Sequence, residues 1–168
     1  FYDAVRFAVA RDIMHGIGGT NEFRPAEATT RAQIAVVLYN YLGNEEVSAP
    51  CDKPDVSQSE WYTNAVNWCV AHGVMTGYDD GSNLFGTDDA LTREQMAKVM
   101  AIAAGADVSA ASSAKYDALQ GTDQTSNWAR PYAVWAVDAG VINGIDNHDG
   151  TRDLAPQGTV ERCQVAQI

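Results

Sequence analysis

The chain has 168 residues, of which 46% are hydrophobic, and a formal net charge of −11 at pH 7. This length allows one or two ordinary domains, and the apolar content is sufficient for a packed core. No apolar run approaches the roughly 18 uninterrupted residues of a membrane-spanning helix, so we expect no membrane span. The acidic charge also argues against a nucleic-acid partner, because proteins that bind nucleic acids usually present a basic surface.

The cysteines predict neither a disulfide framework nor a metal site. Their number is odd, and Cys51, Cys69 and Cys163 lack the spacing of metal ligands. We therefore expect no metal and no other cofactor. Cys69 lies in an apolar run and is expected to be a buried small hydrophobe. The first residues read as domain sequence rather than as a signal peptide, and both ends look cut from a longer chain.

Residues 4–16 open the chain with an apolar helical pattern that returns twice. Residues 61–77 read WYTNAVNWCVAHGVMTG and residues 128–144 read WARPYAVWAVDAGVING, with tryptophans, glycines and apolar positions in register. Apolar positions three or four residues apart predict an amphipathic helix in each copy, and Gly73 and Gly140 predict its C-terminal stop.

The start of the helix in the third copy is predicted near Ser126 or Asn127. Pro131 then lies near the first turn, where losing an amide donor costs least. We expect Trp68 and Trp135, inside the helices, to belong to the core. Trp61 and Trp128 stand at the helix starts, where core packing and contact with a ligand are both open.

A turn-rich loop follows each of these helices and carries one apolar anchor, the first residue of a triplet. The triplets are Phe23-Arg24-Pro25, Phe85-Gly86-Thr87 and Leu154-Ala155-Pro156. The third residue of each triplet precedes a motif arginine by six positions in every copy. The fixed spacing predicts that the anchor holds the loop in one place. The Asp-rich segments 79–81 and 146–150 lack the ligand spacing of a calcium loop and are interpreted as turns.

The motif after each anchor opens a second helix. It reads TTRAQI at residues 29–34, LTREQM at 91–96 and VERCQV at 160–165. A Thr followed three residues later by Gln is a capping box, in which each side chain bonds the other residue's backbone amide. Glu161 replaces the Thr in the third copy, so we expect a poorer cap or an altered charge there.

These segments predict an all-α fold of three helix-loop-helix repeats. Their boundaries are 1–43, 53–105 and 116–168, with the first incomplete at its N-terminus and the third cut at its C-terminus. The intervening segments 43–53 and 105–126 are rich in small and polar residues and predict linkers. The second linker is long enough to hold a helical turn around residues 111–119.

The combination of Trp-Tyr, an alanine-rich helix, a Gly-Val-Met-Thr-Gly-Tyr turn, a Phe anchor and Thr-Arg-x-Gln resembles the S-layer homology repeat. The resemblance covers nearly the whole chain. Asp55 matches the Asp that opens the family's repeat, although Lys53 stands where Phe is usual, and the third copy has Leu119-Gln120-Gly121 near that place. The resemblance implies a pseudo-threefold arrangement with the motif helices packed centrally and ligand grooves between neighbouring repeats.

The same resemblance implies a function in the bacterial cell wall. Members of the family attach secreted proteins to secondary cell-wall polysaccharide, often bearing ketal-linked pyruvate. It further implies an extracellular location at the cell surface and a fused effector region outside this chain. The chemistry agrees, because a sugar carboxylate matches an arginine fork, and a helix N-terminus adds amide donors.

The candidate ligand-binding residues follow from this interpretation. They are Arg31, Arg93, Arg162, Gln33, Gln95, Gln164, Trp61, Trp128, Asp55, Gly77 and Gly144. For the glutamines, capping alone is an equal alternative. The glycines are first of all turn residues, although a bare backbone also lets a ligand approach.

Two other functions stay open at this stage. The departures in the third copy fit a structural spacer or a protein-docking module. An enzyme is not expected, because the sequence has no nucleophile elbow, metal pair or phosphate loop. Cys69 and His72 share one predicted apolar helix face and are interpreted as packed residues.

Overall fold

The computed structural model describes residues 1–43, 45–47 and 49–168. Residues 44 and 48, in the predicted linker 43–53, lie outside this description. The described part is mostly α-helical, which confirms the all-α prediction. Its α-helices are α1 (Tyr2–Ala10), α2 (Arg31–Leu42), α3 (Thr63–Ala71), α4 (Arg93–Ala103), α5 (Ala114–Asp117), α6 (Arg130–Asp138) and α7 (Arg162–Gln167). Short 3-10 turns occupy Ile17–Gly19, Val108–Ala110 and Thr122–Gln124.

The helices pack in pairs that join one repeat to the next. The motif helix α2 packs on α3, α4 packs on α6, and α7 packs on α1. Each pair therefore combines the second helix of one repeat with the first helix of the following repeat, and the last motif helix pairs with the first helix of the chain. The packing pairs are thus displaced by half a repeat from the repeats seen in the sequence.

The chain forms two compact units that follow these pairs. Unit 1 contains residues Phe1–Ala90 and Glu161–Gln167, and unit 2 contains residues Leu91–Val160 and Ile168. The first cut falls between the loop and the motif of the second repeat, because the motif helix α4 packs with the third repeat. The repeat boundaries and the pseudo-threefold arrangement stay predictions.

Each unit has its own apolar interior. In unit 1, Ile34 and Ala35 of α2 are buried, as are Val66, Trp68 and Cys69 of α3. In unit 2 the core cluster comprises Ala97, Tyr116, Ala133, Ala136, Val137, Ile142 and Leu154, with Trp135 partly buried against it. Small alanines let the helices approach closely, and the aromatic side chains fill the remaining space.

The first helices of the second and third repeats begin later than the sequence predicts. Helix α3 begins at Thr63, so that Trp61 precedes it, and α6 begins at Arg130. In front of α6, the amides of Ala129 and Arg130 both donate to the carbonyl of Ser126, which forms a separate turn. Pro131 still lies in the first turn of α6. The predicted start near Ser126 or Asn127 is therefore wrong by one turn.

Other expectations are confirmed. Gly73 and Gly140 follow the helix ends with φ of 68° and 79°, the left-handed region that glycine favours. The helical turn predicted within 111–119 is α5. A short hairpin pairs β1 (Ile145–Asp146) with β2 (Arg152–Asp153), where the sequence indicated only turns.

The three cysteines are free. Burial raises the pKa of the Cys69 thiol to about 12, in agreement with its predicted role as a buried hydrophobe. In the part of the chain that the structure describes, no helix is long and apolar enough to cross a membrane. Within the same residues, no group of His, Cys, Asp and Glu is arranged to hold a metal ion.

Candidate ligand-binding site

The capping boxes predicted for α2 and α4 are present. In α2, the Gln33 amide donates to Thr30 Oγ1 at 3.3 Å, and the Thr30 amide donates to Gln33 Oε1 at 3.1 Å. Thr92 and Gln95 form the same pair of bonds in α4, at 3.3 and 3.2 Å. These bonds fix the rotamer of each Gln and the direction in which the helix starts.

The third copy keeps only half of this cap. The Glu161 amide donates to Gln164 Oε1 at 3.1 Å, as in the other copies. The Gln164 amide, however, donates to the main-chain carbonyl of Glu161 at 3.0 Å rather than to its side chain. The expected weakening of the cap at Glu161 is therefore confirmed.

The first amides of each motif helix are already bonded to the protein. The Arg31 amide donates to the Asp89 carbonyl at 2.9 Å, and the Ala32 amide donates to the Thr87 carbonyl at 3.1 Å. The equivalent bonds are Arg93 to Gly158, Glu94 to Pro156, Arg162 to Glu27 and Cys163 to Pro25. The expectation that the helix N-terminus adds amide donors to a ligand site is therefore wrong, because loop carbonyls satisfy these donors.

The motif arginines reach the anchor of the following repeat. In every copy the Nε atom donates to the main-chain carbonyl of the anchor residue. The pairs are Arg31 with Phe85 at 2.7 Å, Arg93 with Leu154 at 2.8 Å, and Arg162 with Phe23 at 2.8 Å. The pairing is cyclic, since the third motif returns to the loop of the first repeat. We call these places the Arg31, Arg93 and Arg162 sites.

All three arginines are buried. Their exposed fractions are 5% for Arg31, 8% for Arg93 and 4% for Arg162. Burial lowers the pKa of each guanidinium, and nearby groups partly offset that effect: Tyr78, Asp89 and Asp55 at Arg31, Asp153 at Arg93, and Glu27 at Arg162. Within the described ranges, no carboxylate comes close enough to any of the three for a salt bridge. A desolvated charge without an ion-pair partner is suited to an anionic ligand.

The terminal nitrogens distinguish the three sites. Among the described residues, Nη1 and Nη2 of Arg31 and of Arg93 donate to no protein acceptor. Arg162 differs, because its Nη2 donates to the main-chain carbonyl of His15 at 2.5 Å. In Arg31 and Arg93 the guanidinium is therefore held in place by Nε. Nη1 and Nη2, which form the end of this fork, are free to bind a ligand.

Aromatic rings also differ between the sites. The Cζ atom of Arg31 lies 4.5 Å from the ring centroid of Tyr78 and 5.3 Å from that of Phe85. The Tyr78 hydroxyl donates to Asp89 Oδ2 at 2.8 Å. The Tyr78 ring thus contacts the Arg31 guanidinium by a cation–π interaction and is itself fixed by Asp89.

Asp55 positions the anchor of the second repeat. Its Oδ1 accepts from the Phe85 amide at 2.8 Å and its Oδ2 accepts from the Gly86 amide at 2.6 Å. These bonds orient the Phe85 carbonyl that receives Arg31. In this structure Asp55 therefore acts through the anchor, and its direct contact with a ligand stays a prediction.

The third repeat replaces this Asp by another arrangement. The Leu154 amide donates to the main-chain carbonyl of Gln120 at 2.9 Å, and the Ala155 amide donates to Asp153 Oδ1 at 2.8 Å. Gly121 stands against the Asp153 carboxylate, at a place where a side chain would collide with it. The Leu154 anchor is therefore held without a counterpart of Asp55.

The two predicted surface tryptophans are exposed. Trp61 has an exposed fraction of 64% and packs edge to face on Tyr62, whereas Trp128 is 48% exposed and carries Lys98 Nζ at 5.5 Å from its ring centroid. The contacts within the described residues join neither tryptophan to a motif arginine. Their role as sugar-stacking faces stays a prediction. Trp68, by contrast, is a core residue with 5% exposure, as predicted.

The remaining candidates have clear structural roles. The side-chain oxygens of Gln33, Gln95 and Gln164 are bonded to cap amides. Gly77, at φ 94°, lies where any side chain would collide with the Leu84 carbonyl. Gly144, at φ 72°, lies against Leu119 and Arg152. Turn geometry thus accounts for both glycines, and a ligand contact stays a prediction for all of these residues.

Several residues of the sites escape sequence reasoning. Asp89 and His15 lie in loops, Asp153 lies in β2, and no motif marks these three residues. Tyr78 ends the Gly-Val-Met-Thr-Gly-Tyr turn, but the sequence did not single it out as a site residue. The available signal in the sequence was the constant spacing between the anchor and the arginine within each repeat. This spacing indicates that loop and motif hold fixed positions. It could not show that the arginine meets the loop of the next repeat.

In each repeat, the arginine motif at the start of a capped helix packs on the loop of the next repeat. Helical repeats connected in this way form a tandem-repeat domain. Residues 1–35 and 54–97 match the sequence model of the S-layer homology domain. Two regions of the chain therefore match the S-layer homology domain, in agreement with the repeats seen in the sequence. The third repeat lies outside the matched residues, but Arg162 and Leu154 make the same main-chain contacts as their counterparts in the other copies.

The chain is also similar to parts of longer bacterial proteins. It is 27% identical to the exoglucanase XynX of Acetivibrio thermocellus over 99% of this chain and 15% of that protein. It is 27% identical to a cellulosome-anchoring protein of the same organism over 84% of this chain and 31% of that protein. It is 28% identical to an S-layer protein of Bacillus thuringiensis subsp. finitimus over 68% of this chain and 13% of that protein. The chain thus spans less than a third of these relatives.

Proposed function

We propose that this chain is a non-catalytic anchoring module that holds a larger secreted protein to the bacterial cell wall. The relatives support this proposal, because an exoglucanase, a cellulosome-anchoring protein and an S-layer protein share a segment of this kind. Proteins with such different names have in common a means of attachment rather than a reaction. Their greater length agrees with an effector region outside this segment.

The ligand that we propose is an anionic secondary cell-wall polysaccharide, with a ketal-linked pyruvate as the carboxylate donor. The observation that carries this proposal is the buried guanidinium with free terminal nitrogens at Arg31 and Arg93. Two parallel charge-assisted hydrogen bonds match a carboxylate to such a fork. Because Nε is already fixed by the anchor carbonyl, little side-chain entropy is lost on binding.

Binding to purified walls of the source organism tests the anchoring proposal. The walls are compared before and after chemical removal of the polysaccharide that is attached to peptidoglycan. We expect the fragment to sediment with intact walls and to stay in solution with stripped walls. Equal binding to both preparations would assign the ligand to peptidoglycan, and no binding to either would favour a spacer or protein-docking module.

Arg93→Ala tests the carboxylate mechanism. We expect wall affinity to fall roughly tenfold or more, since a charge-assisted bidentate contact contributes about 1.5–3 kcal/mol. Arg93→Lys should recover little, because an ammonium cannot form the two parallel bonds. Arg11→Ala is the matched control, since Arg11 is an exposed arginine of unit 1. Circular dichroism and thermal melting establish that each variant is folded, and unchanged binding by folded Arg93→Ala would contradict the mechanism.

A further inference from the structure

The three motif arginines are equivalent in sequence, but one of them is bonded differently. Nε of Arg162 donates to the Phe23 carbonyl at 2.8 Å, and its Nη2 donates to the His15 carbonyl at 2.5 Å. Nε and Nη2 form one of the two edges on which a guanidinium pairs with a carboxylate. In Arg162, main-chain carbonyls from the first loop of the chain take up Nε and Nη2. The Nη1–Nη2 end, which Arg31 and Arg93 keep free, therefore has one of its two nitrogens already bonded in Arg162.

These two bonds place Arg162 at a junction in the fold. Helix α7 lies near the C-terminal end of the described chain and packs on α1 in unit 1. Arg162 joins this helix to residues 139 and 147 positions earlier in the sequence. The Cζ atom of Arg162 lies 4.8 Å from the ring centroid of Phe23. All of these contacts attach the last helix to the first loop.

Acidic groups further distinguish the Arg162 site from the Arg93 site. Glu161 stands where Thr92 precedes Arg93, and Glu27 stands where Gly158 faces Arg93. The only hydrogen-bond donor to the Glu161 carboxylate among the described residues is the weak Cys163 thiol, at 3.6 Å. Glu27 is the acid that acts on the Arg162 charge, and it also pairs with Arg24 at 3.6 Å, so the like charge that a carboxylate ligand would meet there is partly compensated.

The acids near Arg31 are engaged elsewhere. Asp55 accepts two main-chain amides, and Asp89 accepts the Tyr78 hydroxyl. Their charge is thereby partly compensated, and the Arg31 fork keeps both terminal nitrogens free. Arg31 and Arg93 thus share the features that Arg162 lacks.

We propose that Arg162 is a structural clasp and that only the Arg31 and Arg93 sites bind carboxylate-bearing glycan. The chain is thus a divalent ligand module in which the third copy of the motif closes the fold. The inference rests on the proposed function for the nature of the ligand, but it concerns which copies of the motif take part. Two sites on one chain allow avidity for a repeating polymer, whereas a single short glycan would bind more weakly.

Nuclear magnetic resonance of protein labelled with ¹⁵N-arginine tests this assignment site by site. The probe is a synthetic methyl hexopyranoside that carries a pyruvate ketal. Arg31→Lys, Arg93→Lys and Arg162→Lys, each used only where the variant is folded, assign the Nε–Hε signals by loss of a peak. The titration is then carried out on the unmodified chain, so the conclusion does not depend on the stability of any variant.

We expect the Arg31 and Arg93 signals to shift with saturation at about two probe molecules per chain, while the Arg162 signal stays in place. A shift of the Arg162 signal comparable with the others, or saturation near three, would overturn the inference while leaving the anchoring function intact. If no signal shifts although the chain sediments with intact walls, the arginine assignment is wrong and anchoring stands. If the chain also fails to sediment with walls, both proposals fail.

Discussion

At the scale of single residues, the motif arginine has a structural bond in every copy. Its Nε is committed to an anchor carbonyl at 2.7 to 2.8 Å, so removing the arginine leaves a buried carbonyl without its donor. Loss of binding in an arginine variant therefore has to be separated from loss of stability. Lys variants and folded-state controls make this separation possible, because they keep a charge while removing the fork.

Thr29 is a buried hydroxyl that the fold does not use. Its exposed fraction is 0%, and Oγ1 has no hydrogen-bond partner within the described residues. The aligned positions of the other copies are the apolar residues Leu91 and Val160. We expect Thr29→Val to raise the free energy of unfolding by about 1 kcal/mol, because it removes an unsatisfied buried polar group without changing the shape.

Urea denaturation at pH 7 checks this prediction. Thr30→Val is the matched control on the neighbouring residue, since it removes a hydroxyl that caps α2. That variant should lose about 1 kcal/mol. If Thr29→Val is instead less stable than the parent chain, the Thr29 hydroxyl is satisfied in solution.

Asp55 makes the stability of the second repeat's anchor dependent on pH. Burial by itself would raise the pKa of this carboxyl, but hydrogen bonds from the amides of Phe85 and Gly86 outweigh it and lower the pKa. The stabilisation by Asp55 is therefore present above its unfolded pKa of about 3.9 and is lost as the pH falls through the lower folded pKa. We expect Asp55→Asn to lose roughly 1–2 kcal/mol at pH 7, a range reduced for partial exposure.

Measuring the stability of Asp55→Asn and of the parent chain as a function of pH is the sharper test. The difference between the parent chain and Asp55→Asn should shrink as the pH falls through the lowered folded pKa of Asp55, because Asp55 itself then becomes protonated. Asp52→Asn is the control, because Asp52 is an exposed carboxylate nearby. A stability difference for Asp55→Asn that does not change with pH would show that the charge of Asp55 is unimportant.

At the scale of the elements, the helix caps differ in quality between otherwise equivalent helices. Thr30 and Thr92 complete capping boxes, but Glu161 leaves the Gln164 amide to a main-chain carbonyl. A Thr hydroxyl is short enough to reach the N3 amide, whereas the longer Glu side chain is a poor cap. The packing of α7 on α1 compensates for this defect through tertiary contact.

Exchanging the capping residues tests this interpretation. We expect Glu161→Thr to stabilise the chain by roughly 0.5–1 kcal/mol, since the hydroxyl restores the missing half of the box. Thr92→Glu, the reciprocal change in α4, should destabilise by a similar amount. Thermal melts of the two variants are compared with the parent chain. Destabilisation by Glu161→Thr would mean that the Glu161 carboxylate has a role beyond the cap.

At the scale of the whole molecule, the net charge of −11 opposes long-range attraction to an anionic polymer. Binding must then depend on short-range contacts at a few cationic positions, which salt screens less than it screens surface charges. We expect wall affinity to change by less than about threefold between roughly 50 and 300 mM NaCl. The Arg93→Ala variant should cause a larger loss than this change in salt.

Sedimentation with walls over the salt series provides the measurement. Polylysine, a polycation that is held to anionic polymers by charge alone, serves as the reference and should be released by salt. A steep loss of binding by the present chain with salt would contradict short-range recognition. It would assign attachment to a diffuse electrostatic interaction instead.

Local patterns in the sequence were sufficient for much of this protein. Helix type, the capping boxes at Thr30 and Thr92, the glycine stops at Gly73 and Gly140, and the core position of Trp68 all depend on residues within a few positions of one another. Such interactions are recorded in the local order of residues, and repetition reinforced them. The all-α class and the resemblance to the S-layer homology repeat followed for the same reason.

The tertiary structure alone decided how the repeats use one another. The partners of Arg31 and Arg162 are the anchors Phe85 and Phe23, which lie 54 and 139 positions away in the chain. The pairing of each motif with the next repeat's loop could not be predicted, because the sequence spacing within a repeat is compatible with contacts inside that repeat. For the same reason, three similar arginines in the sequence differ at Nη2, which is bonded to the His15 carbonyl in Arg162 and free in Arg31 and Arg93 among the described residues, since that difference depends on where a distant main-chain carbonyl lies.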